Sequence, residues 1–86
     1  MEIRLIEESE KDLAYWQKTH NSTILKRISD LFTSMENNPT QGIGNPEPLK
    51  HKLSGYWSRR IDKANGIGYK VDGDIIWVIS FRGRYQ

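Results

Sequence analysis

The sequence predicts an α+β domain: an N-terminal strand, a two-helix hairpin, then an antiparallel meander sheet. Three observations carry this expectation. Ile24, Leu25, Ile28, Leu31, Phe32 and Met35 recur at helical spacing. Three strand-like runs crowd the last third of the chain, separated by the turn dipeptides Asn65-Gly66 and Asp72-Gly73. All three prolines fall between these two regions. The chain has 86 residues, the length of one domain, here taken as 1–86. With 36% hydrophobic and 28% charged residues it has the composition of a folded globule rather than a disordered chain.

Taken in order, EIRLI (2–6) alternates Ile3 and Leu5 against Glu2 and Arg4, as a half-buried strand does. Ser9 with Asp12 three residues on makes a loose capping box, so the first helix is expected over 10–18, with Leu13 and Trp16 facing the core. His20-Asn21-Ser22 interrupts, and Asn21 or Ser22 can cap a second helix that ends at Asn37-Asn38-Pro39. Residues 39–55 hold three of the seven glycines as well as the prolines and read as an ordered loop. Strands follow at 55–61, 67–71 and 74–81, the last apolar enough to be a central strand buried on both faces. The expected order is β-α-α-β-β-β.

Composition narrows the chemistry. There is no cysteine, which removes disulfides, thiolate nucleophiles and Cys-ligated zinc and suits a reducing cytoplasm. No apolar run approaches the ~18 residues of a membrane span, and the acidic N-terminus does not resemble a signal peptide, so the expected location is cytoplasmic. His20 and His51 do not have metal-ligand spacing, and no metal or cofactor is expected. The formal net charge of +2 is unevenly spread. Residues 1–49 hold five Lys/Arg and eight Asp/Glu, whereas residues 50–86 hold eight and three. A basic C-terminal half suits an anionic partner, RNA first, although lopsided charge also occurs without one.

Among the carboxylates, Glu47 is set apart. It lies between Pro46 and Pro48, just before Lys50-His51-Lys52. Held there near cations, it suits a general base; the alternative is an exposed loop carboxylate. His51 is either a phosphate contact or an exposed loop residue. Arg59 and Arg60, adjacent on a strand, point to opposite faces. Together with Lys50, His51, Lys52, Arg82 and Arg84, and with Tyr56, Trp57, Tyr69 and Tyr85 interleaved, they offer cations for phosphate and rings for bases. The alternative is that most of these rings form the core.

The run PEPLKH (46–51), followed by LSGYWSRRI (53–61), resembles the signature of the Txe/YoeB family. These are toxins of bacterial type II toxin–antitoxin systems within the RelE/ParE-like superfamily. EESEKDLAYWQK (7–18) resembles the same family's first helix, and the likeness covers essentially the whole chain. It implies a microbial-ribonuclease-like fold and a ribosome-dependent mRNA endonuclease that cuts in the A site without a cofactor. It also implies a YefM/Phd-type antitoxin partner, a homodimer, and operator DNA binding only through the antitoxin complex. By matching position, Glu47 falls on the family's general base and Arg60 on a phosphate-binding arginine. Lys50 and His51 fall on supporting residues, and Tyr85 on a site tyrosine.

Two positions depart from the pattern. Gly66 stands where the family carries an arginine, and Arg84 where it carries the histidine proposed as general acid. Arginine does not release its proton at physiological pH. The chain therefore reads as a disabled form of an active toxin, a natural variant with attenuated cleavage, or a non-catalytic relative that still binds antitoxin. A gyrase-poisoning relative is the less favoured reading, because PEPLKH and LSGYWSRRI belong to the RNA-cutting branch.

Overall fold

A computed structural model describes residues 1–84. The elements are β1 (Glu2–Leu5), α1 (Glu7–Lys18), α2 (Ser22–Asn37), β2 (Glu47–Pro48), β3 (Tyr56–Arg60), β4 (Gly66–Asp72) and β5 (Ile75–Ser80). A single 3₁₀ turn covers His51–Leu53. The five strands form one sheet in the order β1-β5-β4-β3-β2. From β3 to β5 the strands form the expected antiparallel meander, and β2, inside the stretch expected to be loop, adds a short antiparallel fourth strand to it. The N-terminal strand adds itself parallel to β5, making the sheet mixed. A helix hairpin separates β1 from the rest of the sheet, so no tight turn forces it antiparallel.

Both helices lie on one face of the sheet. The stripe Ile24, Ile28, Leu31 and Met35 of α2 meets Trp16 of α1 and Ile67, Tyr69, Ile76 and Val78 of the sheet. Asn21 caps α2, its side chain accepting from the Ile24 N–H at 3.1 Å. The start of α1 differs from expectation. The helix begins at Glu7 with Ile6 at its N-cap, so Ser9 caps from the third position of the first turn and not from the N-cap itself. The Ser9 hydroxyl reaches back to accept from the Ile6 N–H at 2.9 Å and donates to the Val78 carbonyl at 2.7 Å. Asp12 likewise leaves the expected capping box and accepts from the Phe81 N–H at 3.0 Å. Both polar groups thus tie α1 to β5.

The turns are also shifted. Gly66 is not in a turn but is the first residue of β4, opposite Arg60. The reversal before it is made by Asp62, whose Oδ1 accepts from the N–H groups of Ala64 (2.8 Å) and Asn65 (2.7 Å). Gly73, at φ 59°, makes the β4–β5 turn, as its dipeptide suggests. In β5, Ile76 and Val78 are fully buried, but Ile75, Trp77 and Ile79 on the other face are only half-buried. The sheet is therefore covered on one side, and its outer face is open.

Candidate active site

Alternation along β3 decides which residues can share a site. Trp57 and Arg59 point to the helix side, so Tyr56, Ser58 and Arg60 point outward. Glu47 of β2 pairs with Ser58, and Gly66 of β4 pairs with Arg60. These positions therefore occupy one corner of the outer face. The chain that follows β5 joins them there. Gly66 N–H donates to the Gly83 carbonyl at 2.8 Å, and the Asn65 side chain accepts from Gly83 N–H at 3.0 Å, which carries Arg84 to the same corner.

The result is a cleft of about 80 Å³, lined by Asn45, Glu47, Ser58, Arg60, Asp62, Lys63, Asn65, Gly66 and Arg84, with Arg59 beneath. That is far smaller than a pocket for a drug-sized ligand and suits a single phosphoryl group. Arg60, Lys63 and Arg84 bring positive charge to its rim, opposed by Glu47 and Asp62. Glu47 is exposed, and its Oε1 accepts from the Asn45 amide at 2.8 Å. Asn45 adopts φ 52°, and Gly44 next to it gives its carbonyl to the Arg60 N–H at 2.7 Å. The backbone on which Glu47 sits is thus bonded directly to the strand that carries Arg60.

Four of the sequence-derived positions, Glu47, Arg60, Gly66 and Arg84, come together here from β2, β3, β4 and the chain after β5. Tyr85 lies outside the described residues. Lys50, His51 and Lys52 are exposed but do not line the cleft; they form the tip of the β2–β3 hairpin, beyond the Leu49–Tyr56 backbone bond at its other end. Arg82 is also elsewhere, its guanidinium 3.7 Å from the Tyr15 ring centroid on α1.

Arg59 is a correction. Expected to touch RNA, it is 1% exposed on the helix side. Its guanidinium donates to Tyr69 Oη (3.1 Å), Ser34 Oγ (2.7 Å) and the carbonyls of Ile43 (3.1 Å), Asn38 (2.6 Å) and Gln41 (2.9 Å). All five donors of an arginine are then engaged, and none is left for a ligand. Tyr69 belongs to the core and Trp57 packs against it, which is the alternative the sequence offered for these rings. The residues missed were Asn45, Ser58, Asp62, Lys63 and Asn65. Only Ser58 had a signal, its even spacing from Arg60 on the strand.

Comparison with known proteins identifies the family and the fold. Residues 5–85 match the model of the YoeB-like toxin of bacterial type II toxin–antitoxin systems. The chain belongs to that family. Toxin YoeB of Escherichia coli K12 is 41% identical to this toxin over 85 residues, covering 99% of this chain and all of the relative. A YoeB/ParE toxin from Agrobacterium tumefaciens has the same structure with a TM-score of 0.93 at 36% identity, covering 99% of this chain and all of that one. The YoeB of Staphylococcus aureus, solved as a dimer and in complex with YefM, matches with TM-scores of 0.89 and 0.88 at 34% and 35% identity. Each of those matches covers 99% of this chain and 98% of the other. This toxin is thus a component of a type II toxin–antitoxin system. Among its described residues, no helix is long and apolar enough to cross a membrane.

Proposed function

We propose that this toxin is a ribosome-dependent endoribonuclease that cuts mRNA in the A site, and that it cuts slowly. The carrying observation is that two carboxylates and three cations line one cleft of phosphoryl size: Glu47 and Asp62, of which Asp62 is engaged by its own turn, with Arg60, Lys63 and Arg84. In this reading Glu47 takes the proton of a ribose 2′-OH, and the oxygen attacks the adjacent phosphorus. The O2′–P bond forms and the P–O5′ bond breaks, leaving a 2′,3′-cyclic phosphate and a 5′-hydroxyl. Arg60 and Arg84 stabilise the charge that grows on the phosphoryl oxygens. Asn45, hydrogen-bonded to one carboxylate oxygen, leaves the other free to face the ribose.

The leaving O5′ must also gain a proton. Arg84 is a poor donor because a guanidinium stays protonated. Tyr85 or water then supplies that proton, and the step is slowed by about 10²–10⁴ relative to a well-placed acid. Gly66 contributes no side chain on the face where it pairs with Arg60, so one cation fewer meets the phosphate. Arg84 partly replaces it from the neighbouring segment.

The partners follow from the relatives. A YefM-type antitoxin binds this toxin and covers Arg60, the toxin forms dimers, and the antitoxin complex alone carries DNA binding. A second reading is favoured by the same two positions: with Gly66 and Arg84 in the cleft, the chain acts only as an antitoxin-binding module. Cleavage of mRNA on programmed ribosomes separates the two. The expected result is weak cleavage that Glu47→Gln abolishes and that the pair Gly66→Arg with Arg84→His increases at least tenfold. Cleavage indifferent to Glu47→Gln would remove Glu47 from the mechanism. No cleavage by either form would leave the binding module.

A further inference from the structure

The open face of the sheet carries a row of side chains outside the cleft. Arg4 of β1 is in register with Trp77 of β5, Trp77 with Lys70 of β4, and Lys70 with Tyr56 of β3. Cation and ring alternate across four strands. The Arg4 guanidinium lies 5.7 Å from the Trp77 ring centroid, and the Lys70 ammonium 5.5 Å from the Tyr56 ring centroid. Neither ring belongs to the core cluster, and both are half-buried, while Arg4 and Lys70 are exposed. At about 4.8 Å per strand the row spans about 14 Å. Tyr56 is two residues from Ser58 on the same strand and face, so the row is continuous with the cleft.

We propose that this row is a stacking platform for the unpaired nucleotides that flank the cleaved phosphate. Two half-buried rings on the open face of a sheet, each beside a cation, match what single-stranded RNA presents: a base face and a phosphate at each step. Sheets that bind RNA in this way stack two or three bases on their aromatics, and two rings across about 14 Å fit that number. The acidic side chains of this face bound the track. Glu2 is paired to Arg4 at 2.6 Å, and Asp72 lies two residues beyond Lys70, both on the side of the row away from the cleft. A strand of RNA thus runs from the cleft to Tyr56 and across the sheet, not past the acidic edge. The inference rests on the ribonuclease reading only for the class of ligand.

Binding without cleavage tests it. The probe is a short, labelled, single-stranded RNA with 2′-O-methyl riboses, which cannot be cut, titrated with the full chain. Trp77→Ala is expected to weaken binding about 5- to 150-fold, and Trp77→Phe, which keeps a ring, by much less. Lys70→Ala and Arg4→Ala should each lower the slope of log affinity against log salt by about 0.7. A duplex of the same sequence, whose bases are already stacked, should bind more weakly. Melting temperatures of the variants, which truncate no core residue, control for folding. Unchanged affinity in Trp77→Ala, or equal affinity for the duplex, overturns the platform even if the chain cuts RNA. Loss of binding in Trp77→Ala supports it even if the chain proves unable to cut. Conversion of a dimer to a monomer by Trp77→Ala, with RNA affinity unchanged, would instead make this face an interface between copies.

Discussion

Arg59 shows what a buried cation does without a carboxylate. Its five donors end on three carbonyls, a serine and a tyrosine, and no ion pair among the described residues includes it. Lysine, with three donors and no planar fork, cannot satisfy the same set. Arg59→Lys is therefore expected to destabilise the fold by about 3 kcal/mol, since several buried acceptors lose their partner at once. Urea denaturation measures this, and a loss below about 1 kcal/mol would mean that the loop rearranges freely. Tyr69 shares the network, donating to the Pro39 carbonyl at 2.6 Å. Burial raises its phenol pKa, with the hydrogen bond and charge of Arg59 opposing. The unfolded chain then releases this proton first. The stability tied to the neutral phenol is complete below about pH 10 and falls as pH climbs from there through the raised folded value. The urea midpoint should drop above about pH 10 in the native chain, and the drop should vanish in Tyr69→Phe.

Between α2 and β2 the segment that leads into Glu47 is hardly an element at all. Residues 38–45 have no regular structure, yet Arg59 and Tyr69 bind carbonyls along them and Gly44 closes onto Arg60. Gly44 has φ 84°, and a Cβ there would stand 2.6 Å from Leu31 Cδ2. Gly44→Ala should cost about 2–4 kcal/mol, from the left-handed backbone and the clash together. Because Gly44 positions Asn45 and Glu47, RNA cleavage should fall further than the melting temperature alone explains. Equal losses in both would make Gly44 a matter of stability only. This segment also marks what a single sequence can tell. The stripe of α2 and the alternation of β3 are periodic and could be read directly, and they put Arg59 and Arg60 on opposite faces; that Arg59 is the inward one comes from its burial in the structure. Nothing periodic announces that a buried arginine organises a loop. The turn at Asp62 was hidden for a similar reason: Asn65-Gly66 is a strong turn signal, but an Asx side chain three residues earlier had already closed the chain. Glu47, Gly66 and Arg84 were legible through the likeness of their surroundings to a known family. The cleft that unites them depends on strand register and on two bonds to Gly83, which no spacing encodes.

For the whole molecule, charges gather locally: acids at the start of α1 and cations around the cleft. Glu7, Glu8 and Glu10 begin α1 on the covered side of the sheet, where they also favour the helix N-terminus. Arg60, Lys63 and Arg84 surround the cleft on the open side. The ion pairs of the described residues, Glu2–Arg4, Glu7–Lys11, Glu8–Lys11 and Lys26–Asp30, are all exposed. Such pairs add little to stability and are screened by salt. The hydrophobic cluster, by contrast, and the buried Arg59 network bonded to neutral acceptors are little affected by ionic strength. Folding and binding should therefore separate cleanly in a salt titration. The melting temperature should stay nearly flat between about 50 and 200 mM salt. Affinity for single-stranded RNA should fall over the same range, because each phosphate neutralised releases counterions. One phosphate at the cleft and two along the row of Arg4 and Lys70 give a slope near −2 in log affinity against log salt, or roughly a 20-fold loss across that interval. Charge reversal at one rim cation, Lys63→Glu, should weaken RNA binding, flatten the slope by at most about 0.7, the share of the one cleft phosphate, and leave the melting temperature in place. If the melting temperature fell in step with the affinity, surface charge would be holding the fold together, and the open face could not be treated as a surface shaped for a polyanion.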